Sequence, residues 1–145
     1  MSKAPFRAAP RDHRDLGLLL LRLAIGGMVF GLHGWARLFK VYNYLVLGQP
    51  WTFVALVRRI GFPMPSVFAV ASALVESFGA VLLIAGLGTR WVALLLAFNM
   101  SVAVAFELSK GGGGAELPGV YLAALATLVI AGGGKFSLDG RRRPK

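Results

Sequence analysis

Four long apolar stretches alternate with short polar or basic segments along the chain. They cover residues 16–39, 65–88, 91–108 and 117–132. Each stretch approaches the ~20 residues that a helix needs to cross ~30 Å of hydrocarbon. Because the backbone finds no water in that layer, such stretches are expected to form helices. The pattern therefore predicts an all-α membrane four-helix bundle over residues 16–140.

The segment between the first two stretches, residues 40–64, is too long to be a simple turn. Within it, PWTFVALVRRIGF opens with Pro50 and closes at Gly61, and its apolar residues recur at helical spacing. This predicts a short helix that lies in the membrane interface. Pro63 and Pro65 then break the chain before the second stretch, since proline cannot continue a helix.

The composition supports a membrane protein and excludes several kinds of chemistry. Hydrophobic residues make up 57% of the chain and charged residues 15%, whereas soluble domains carry roughly 25% charged residues. The chain has no cysteine, which excludes disulfides, thiolate nucleophiles and iron–sulfur ligation by its own residues. The net charge of +10 does not indicate nucleic-acid binding, because the basic residues lie at the ends and in the loops.

The basic residues are divided unevenly between the two sides of the predicted bundle. Ten lie in the two tails, residues 1–15 and 141–145, and in the neighbouring segments around Arg90 and Lys135; five lie on the other side. The positive-inside rule then places both termini in the cytoplasm. The first stretch is longer than the 7–15 apolar residues of a signal peptide, and three more stretches follow it, so it is expected to remain in the protein.

Small residues four positions apart predict close helix packing, because lipid supplies no hydrophobic force between helices. They occur in the first, third and fourth stretches: Gly27, Gly31, Ala97, Ser101, Gly119, Ala123 and Thr127. Such residues on consecutive helices predict a tight hairpin of the third and fourth spans. The same residues could instead form the contact of a homo-oligomer.

Three polar residues lie inside the stretches, where an ionisable group is costly and needs a partner or a function. They are Arg22, Glu76 and Asn99. Their depths overlap once the reach of an arginine side chain is included, so we hypothesise a buried Arg22–Glu76 ion pair with hydrogen bonds from Asn99. Three interpretations stay open: the pair only locks the first two helices together, it belongs to a redox or proton site, or Arg22 snorkels towards the interface.

A second polar set lies near the opposite boundary: His33, Arg37 and Glu107. Such groups can hydrogen-bond a quinone head group and exchange its protons. The alternative is an interfacial histidine that faces lipid head groups and water. The remaining histidine, His13, lies in the amino-terminal tail on the wrong side for a bis-histidine haem, so neither haem nor a metal is expected.

An ordered series of elements carries a family resemblance. It runs from LLLLRLAIGGMVFGLHGWARLF through GFPMP, Glu76-x-x-Gly79 and GLGTRWVALLLAFNM to the KFSLD stretch that ends at Asp139. On these elements the chain resembles the DoxX family. The recurring polar and glycine positions of that family correspond to Arg22, His33, Gly34, Glu76, Gly79, Thr89 and Arg90.

The resemblance implies a four-helix protein of the bacterial inner (plasma) membrane. Relatives of this kind are described as a membrane subunit of thiosulfate:quinone oxidoreductase or as parts of membrane oxidoreductase complexes. The expected function is thus a subunit that anchors a protein partner, with quinone as the candidate cofactor and the bilayer around it. A non-catalytic structural subunit is the alternative. A small-solute carrier is less favoured, because the sequence shows one candidate buried pair and no clear inverted repeat.

Overall fold

The computed structural model describes residues 11–141, and every regular element in that range is helical. A continuous helical rod consists of α1 (Arg11–Val29), a π-helical segment (Phe30–Gly34) and α2 (Trp35–Val46). The remaining elements are α3 (Thr52–Ile60), α4 (Pro65–Ala85), α5 (Thr89–Ser109), α6 (Glu116–Ala131) and the short α7 (Leu138–Arg141). The basic tails predicted at both ends lie largely outside the described residues.

Three helices are long and apolar enough to cross a membrane: His13–Val46, Pro65–Ala85 and Thr89–Ser109. The fourth predicted stretch is also an apolar helix, but at 16 residues α6 is shorter than the other three. The protein is therefore a membrane protein, and its lipid-facing helices account for the apolar composition.

The helix that contains the first predicted span continues past Phe39 to Val46. Residues 40–46 contain neither glycine nor proline, so nothing in them stops a helix. The rod ends only where Gly48, with φ of 65°, and Pro50 follow.

The short helix predicted after the first span is present as α3. It ends at Gly61, whose φ of 93° is the left-handed conformation that commonly stops a helix. Val54 and Val57 are buried against α4, whereas Arg58 and Arg59 are exposed. The helix is thus amphipathic, and its place in the membrane interface stays a prediction.

The hydrophobic interior has two parts. The larger joins the rod, α4, α5 and α6, and the smaller joins α2, α3 and the first half of α4. The smaller core is closed by Trp51, which is buried next to Val41 and Ala69. The cavity described below lies where α3 approaches α4 and α5.

The predicted hairpin of the last two long helices is present, but α6 uses a different face. The α6 residues buried in the core are Tyr121, Leu125 and Leu128, whereas Ala123 and Thr127 are exposed. On α5, Ala97 is buried as expected, and Ser101 donates its hydroxyl to the Phe98 carbonyl of its own helix. The α6 packing prediction is therefore wrong: large apolar side chains interlock there, and the space around Gly119 is open.

The packing face predicted for the rod is also wrong, because the buried glycine is the neighbour of a predicted one. Gly27 and Gly31 are exposed, and a Cβ on either would meet no atom within 4 Å. Gly26 is buried instead, and a Cβ there would lie 2.6 Å from Ile84 Cγ1. Neighbouring helical residues point about 100° apart, so this one-residue difference separates the packed face from the outer face.

One end of the molecule, here termed the basal end, is formed by residues 86–89 and 132–141. There the chain after α6 folds back under the helices: the Lys135 amide donates to Asp15 Oδ1 at 3.1 Å and the Asp139 amide donates to the Gly86 carbonyl at 3.0 Å. The beginning of α1 and the last described residues therefore lie at the same end. Their location in the cytoplasm stays a prediction.

Candidate functional site

The most deeply buried carboxylate belongs to Glu76, in the middle of α4, which is 4% exposed. Its partner is Arg37, whose Nη1 donates to Glu76 Oε1 at 2.6 Å. A buried carboxylate without a counter-charge is strongly destabilising, so this contact explains how α4 tolerates an acid. The predicted Arg22–Glu76 pair is wrong, because Arg37 takes the place assigned to Arg22.

The π-helical segment brings Arg37 to Glu76. The Gly34 carbonyl accepts a hydrogen bond of 2.8 Å from the Ser77 hydroxyl. A Cβ on Gly34 would lie 3.2 Å from Ser77 Cα, so the two backbones are in close contact at this point. Arg37 lies three residues after Gly34, so its side chain extends from a point directly beside Glu76. Extra-residue turns of this kind occur frequently at functional sites.

The third element at the pair is α3. The Arg37 guanidinium carbon lies 4.6 Å from the centre of the Phe53 ring, which is a cation–π distance. The pair is consequently held by α2, α3 and α4 together. Nothing in the sequence indicates where α3 packs relative to α2 and α4, so the sequence did not identify Phe53 as a site residue.

Arg22 has a different environment. Its side chain is fully buried, and Nη1 donates to the Leu83 carbonyl at 3.3 Å and to the Ile84 carbonyl at 3.1 Å. These carbonyls belong to the last turn of α4, where a helix leaves acceptors without an internal partner and carries partial negative charge. Leu83 lies seven residues, about 10 Å, beyond Glu76 along α4, which separates the two groups.

A cavity of about 370 Å³ lies beside the Arg37–Glu76 pair. Its walls come from α3, α4 and α5 with Arg37 from α2, and they are mainly aromatic and aliphatic. The polar residues on the wall are Arg37, Ser72, Glu76, Asn99 and Glu107, and the phenylalanines are Phe53, Phe62, Phe68, Phe98 and Phe106.

The cavity brings together parts of both predicted polar sets. Asn99 Nδ2 donates to the Ser72 carbonyl at 3.3 Å, so Asn99 links α5 to α4 and makes no bond to the ion pair. Glu107 Oε1 accepts from Lys110 Nζ at 2.9 Å near the end of α5. His33 is half-buried within the π-helical segment and is not on the cavity wall. The proposed grouping of His33 with Arg37 and Glu107 is therefore not reproduced.

Two features of the cavity bear on what it can bind. Leu95 and Phe98 line it and are each more than half exposed, so it opens on the apolar outer surface of the helices. Glu76 Oε2 is buried without a hydrogen-bond partner, and such atoms generally require a donor. An apolar cavity with a few converging polar groups fits a lipophilic molecule with a polar head.

The polar residues of the cavity all fall within one family match. The model of the DoxX family matches residues 17–107, which is more than half of the 145 residues. No curated protein and no solved structure matches the chain. On the extent of the family match, this protein belongs to the DoxX family.

Proposed function

We propose that this protein is a membrane subunit of a quinone-linked oxidoreductase, of the thiosulfate:quinone type by resemblance, and that its cavity binds the quinone head group. The observation that carries the proposal is the buried Arg37–Glu76 pair in the wall of an apolar cavity that opens towards lipid. The volume of about 370 Å³ falls in the ~300–1,000 Å³ range of small-molecule sites.

Two kinds of side chain on the cavity wall suit a quinone head: N–H donors and aromatic rings. Arg37 and Asn99 carry N–H donors for the carbonyl oxygens of the ring, and the phenylalanine side chains can pack against its faces. The isoprenoid tail would leave past Leu95 and Phe98, which are exposed on the apolar surface. All these interactions favour a planar, conjugated and lipophilic molecule over a small polar solute.

A bound quinone accepts two electrons and two protons. In this site Glu76 would take up a proton from water and deliver it to the quinone from Oε2, the oxygen that Arg37 does not engage. Glu107 lies on the same wall and is partly exposed, so it is placed to exchange protons with water beyond the cavity.

The electrons come from a protein partner under this proposal. The chain contains no cysteine with which to relay electrons through a dithiol or ligate a cluster. Its own residues therefore bind and orient the quinone and move protons. A redox subunit or domain is expected to dock on the protein, which spans the membrane four times if α6 also crosses.

The direct test is equilibrium binding of a tritiated short-chain quinone to the purified full chain in detergent. We expect saturable binding that weakens at least about tenfold in Asn99→Leu, which removes a donor to the quinone, and in Glu76→Gln, which removes the carboxylate that positions Arg37. Glu116→Gln is the matched control, since Glu116 is exposed at the start of α6 and does not line the cavity. Absence of saturable binding, or equal weakening in all three variants, would contradict the proposal.

A structural subunit without a redox role is the second candidate. The observation in its favour is that Gly27, Gly31 and Ala123 are small and exposed, as in surfaces where membrane helices approach closely. A stoichiometric native complex whose enzyme activity is unchanged by Glu76→Gln and by Asn99→Leu would favour this candidate over the quinone site.

A further inference from the structure

A second cavity, of about 520 Å³, lies at the basal end, far from the Arg37–Glu76 pair. It is formed by the first turn of α5 and the chain that follows α6. Its wall carries Arg90, Trp91, Lys135 and Asp139, with the backbone of Gly132, Gly133 and Gly134 between them. The cavity is therefore polar and basic where the first one is apolar.

The carboxylate in this cavity is already engaged. Asp139 Oδ1 accepts from the Gly88 amide and Oδ2 from the Thr89 amide, both at 2.8 Å. These contacts satisfy the first turn of α5. Arg90 donates through Nη2 to the Ile130 carbonyl at 3.2 Å, and this bond holds the guanidinium at the cavity while its other N–H groups stay available.

A further positive charge lies behind the wall. Arg22 is fully buried, and its Nε and Nη2 have no hydrogen-bond partner. A Cβ on Gly86 would approach both Arg22 and Ser137, so both side chains lie against Gly86, and Ser137 lines the cavity. The Arg22 charge is partly balanced by Asp139, so the basic character of the cavity comes mainly from Arg90 and Lys135.

The glycine segment is closely packed: Gly132 and Gly133 are buried, and the Gly132 amide donates to the Leu128 carbonyl at 2.8 Å. Gly132 and Gly134 have φ of 77° and 73°, conformations that favour glycine. An added Cβ on Gly132 would lie 3.3 Å from Arg90 Nε, so the guanidinium lies directly against this bare backbone. Contact with this segment and the bond to Ile130 together fix the position of the Arg90 guanidinium at the cavity.

The location of the cavity identifies the kind of anion. Trp91 is 75% exposed and follows Arg90 at the start of an apolar helix of 21 residues. Tryptophan and cations concentrate at the depth of the lipid head groups. We propose that the basal cavity binds the phosphate of an anionic phospholipid, with Arg90 and Lys135 on the phosphate and Trp91 on the glycerol and upper acyl chain. This site is independent of the quinone proposal.

The test is native mass spectrometry of the full chain, released from detergent after incubation with equimolar phosphatidylglycerol and phosphatidylcholine. We expect the wild type to retain phosphatidylglycerol about tenfold over phosphatidylcholine, and the double variant Arg90→Gln/Lys135→Gln to bind the two nearly equally. The matched control, Arg58→Gln/Arg59→Gln, removes two exposed cations from α3 and should keep the preference. If the double variant does not fold, Arg90→Gln alone should lower the preference about threefold.

Three outcomes would overturn the proposal. The first is no preference for phosphatidylglycerol in the wild type. The second is an equal loss in the α3 control, which would show general attraction by net charge. The third is displacement of the lipid by millimolar inorganic phosphate, which would assign the cavity to free phosphate rather than to a lipid.

Discussion

Two arginines of the same helical rod show how differently one side chain can be used inside a membrane protein. Arg22 and Arg37 both face α4, yet Arg22 is fully buried against the carbonyls of Leu83 and Ile84, whereas the Arg37 side chain is 25% exposed and bonds the Glu76 carboxylate. Carbonyls at a helix end cannot change protonation, so Arg22 is a fixed part of the fold. A carboxylate can, so the contact at Arg37 is available for chemistry.

The surroundings of the two arginines reinforce this difference. Arg22 is enclosed by the close backbone contacts of the basal end, where an added Cβ on Gly86 would collide with it. Arg37 lies beside a cavity and under the ring of Phe53. The same residue type therefore closes one end of the helix bundle and borders a site in its interior.

The largest effect that tests this comparison is expected at the basal end. Arg22→Met should lower the free energy of unfolding by roughly 3 kcal/mol, because it removes the charged hydrogen bonds that Arg22 donates to the Leu83 and Ile84 carbonyls at the end of α4. The measurement is unfolding in mixed micelles by titration with a denaturing detergent. Arg14→Met, at an exposed position of α1, is the control and should change stability little.

An Arg22→Met protein as stable as the control would mean that Arg22 is dispensable to the α4 terminus. The distinction between a fixed and an available arginine would then fail.

A smaller effect separates the two possible partners of Glu76. A double-mutant cycle of Arg37→Met with Glu76→Gln should give a coupling energy of about 1–2 kcal/mol, because the two groups share a direct hydrogen-bonded contact. The parallel cycle of Arg22→Met with Glu76→Gln should be additive within about 0.5 kcal/mol. Strong coupling in the second cycle would restore the Arg22–Glu76 pair that the sequence suggested.

The smallest effect concerns the close backbone contact that positions Arg37. Gly34→Ala should destabilise by about 1 kcal/mol, since its Cβ would press on Ser77 Cα and on the Phe30 ring. Gly27 lies earlier in the same rod, and a Cβ added there would point into open space. Gly27→Ala should therefore be neutral or stabilising by up to about 0.5 kcal/mol. Melting temperatures of the two variants in one detergent check this difference, and equal values would remove the close contact from the explanation.

The sequence predicted the elements of this fold better than their contacts. Apolar length located α4, α5 and α6, and the proline and glycine that flank α3 marked that helix. The first span was predicted to end at Phe39, where the apolar run meets Lys40, and the helix itself continues seven residues further because residues 40–46 contain neither glycine nor proline. Helix length follows the chain chemistry, and a helix can continue beyond the bilayer.

The candidate site was predicted in its residue types but not in its pairing. The expected depths of Arg22 and Glu76 in the membrane, counted along their spans, overlapped, and this grouped the two residues. The deciding feature was the π-helical segment at residues 30–34, which changes the register between the rod and α4. The exposed Gly27 and buried Gly26 show the same limit, since one residue decides which face packs and spacing alone does not fix it.

The unequal lengths of the helices also affect the surrounding lipid. The apolar rod of 34 residues measures about 51 Å, whereas α6 with 16 residues measures about 24 Å, against a hydrocarbon thickness of ~30 Å. If α6 also crosses the membrane, the bilayer meets an excess of helix on one flank and a deficit on the other. The membrane would then thin locally beside α6 while the rod tilts or projects, and the first shell of lipid would be asymmetric around the molecule.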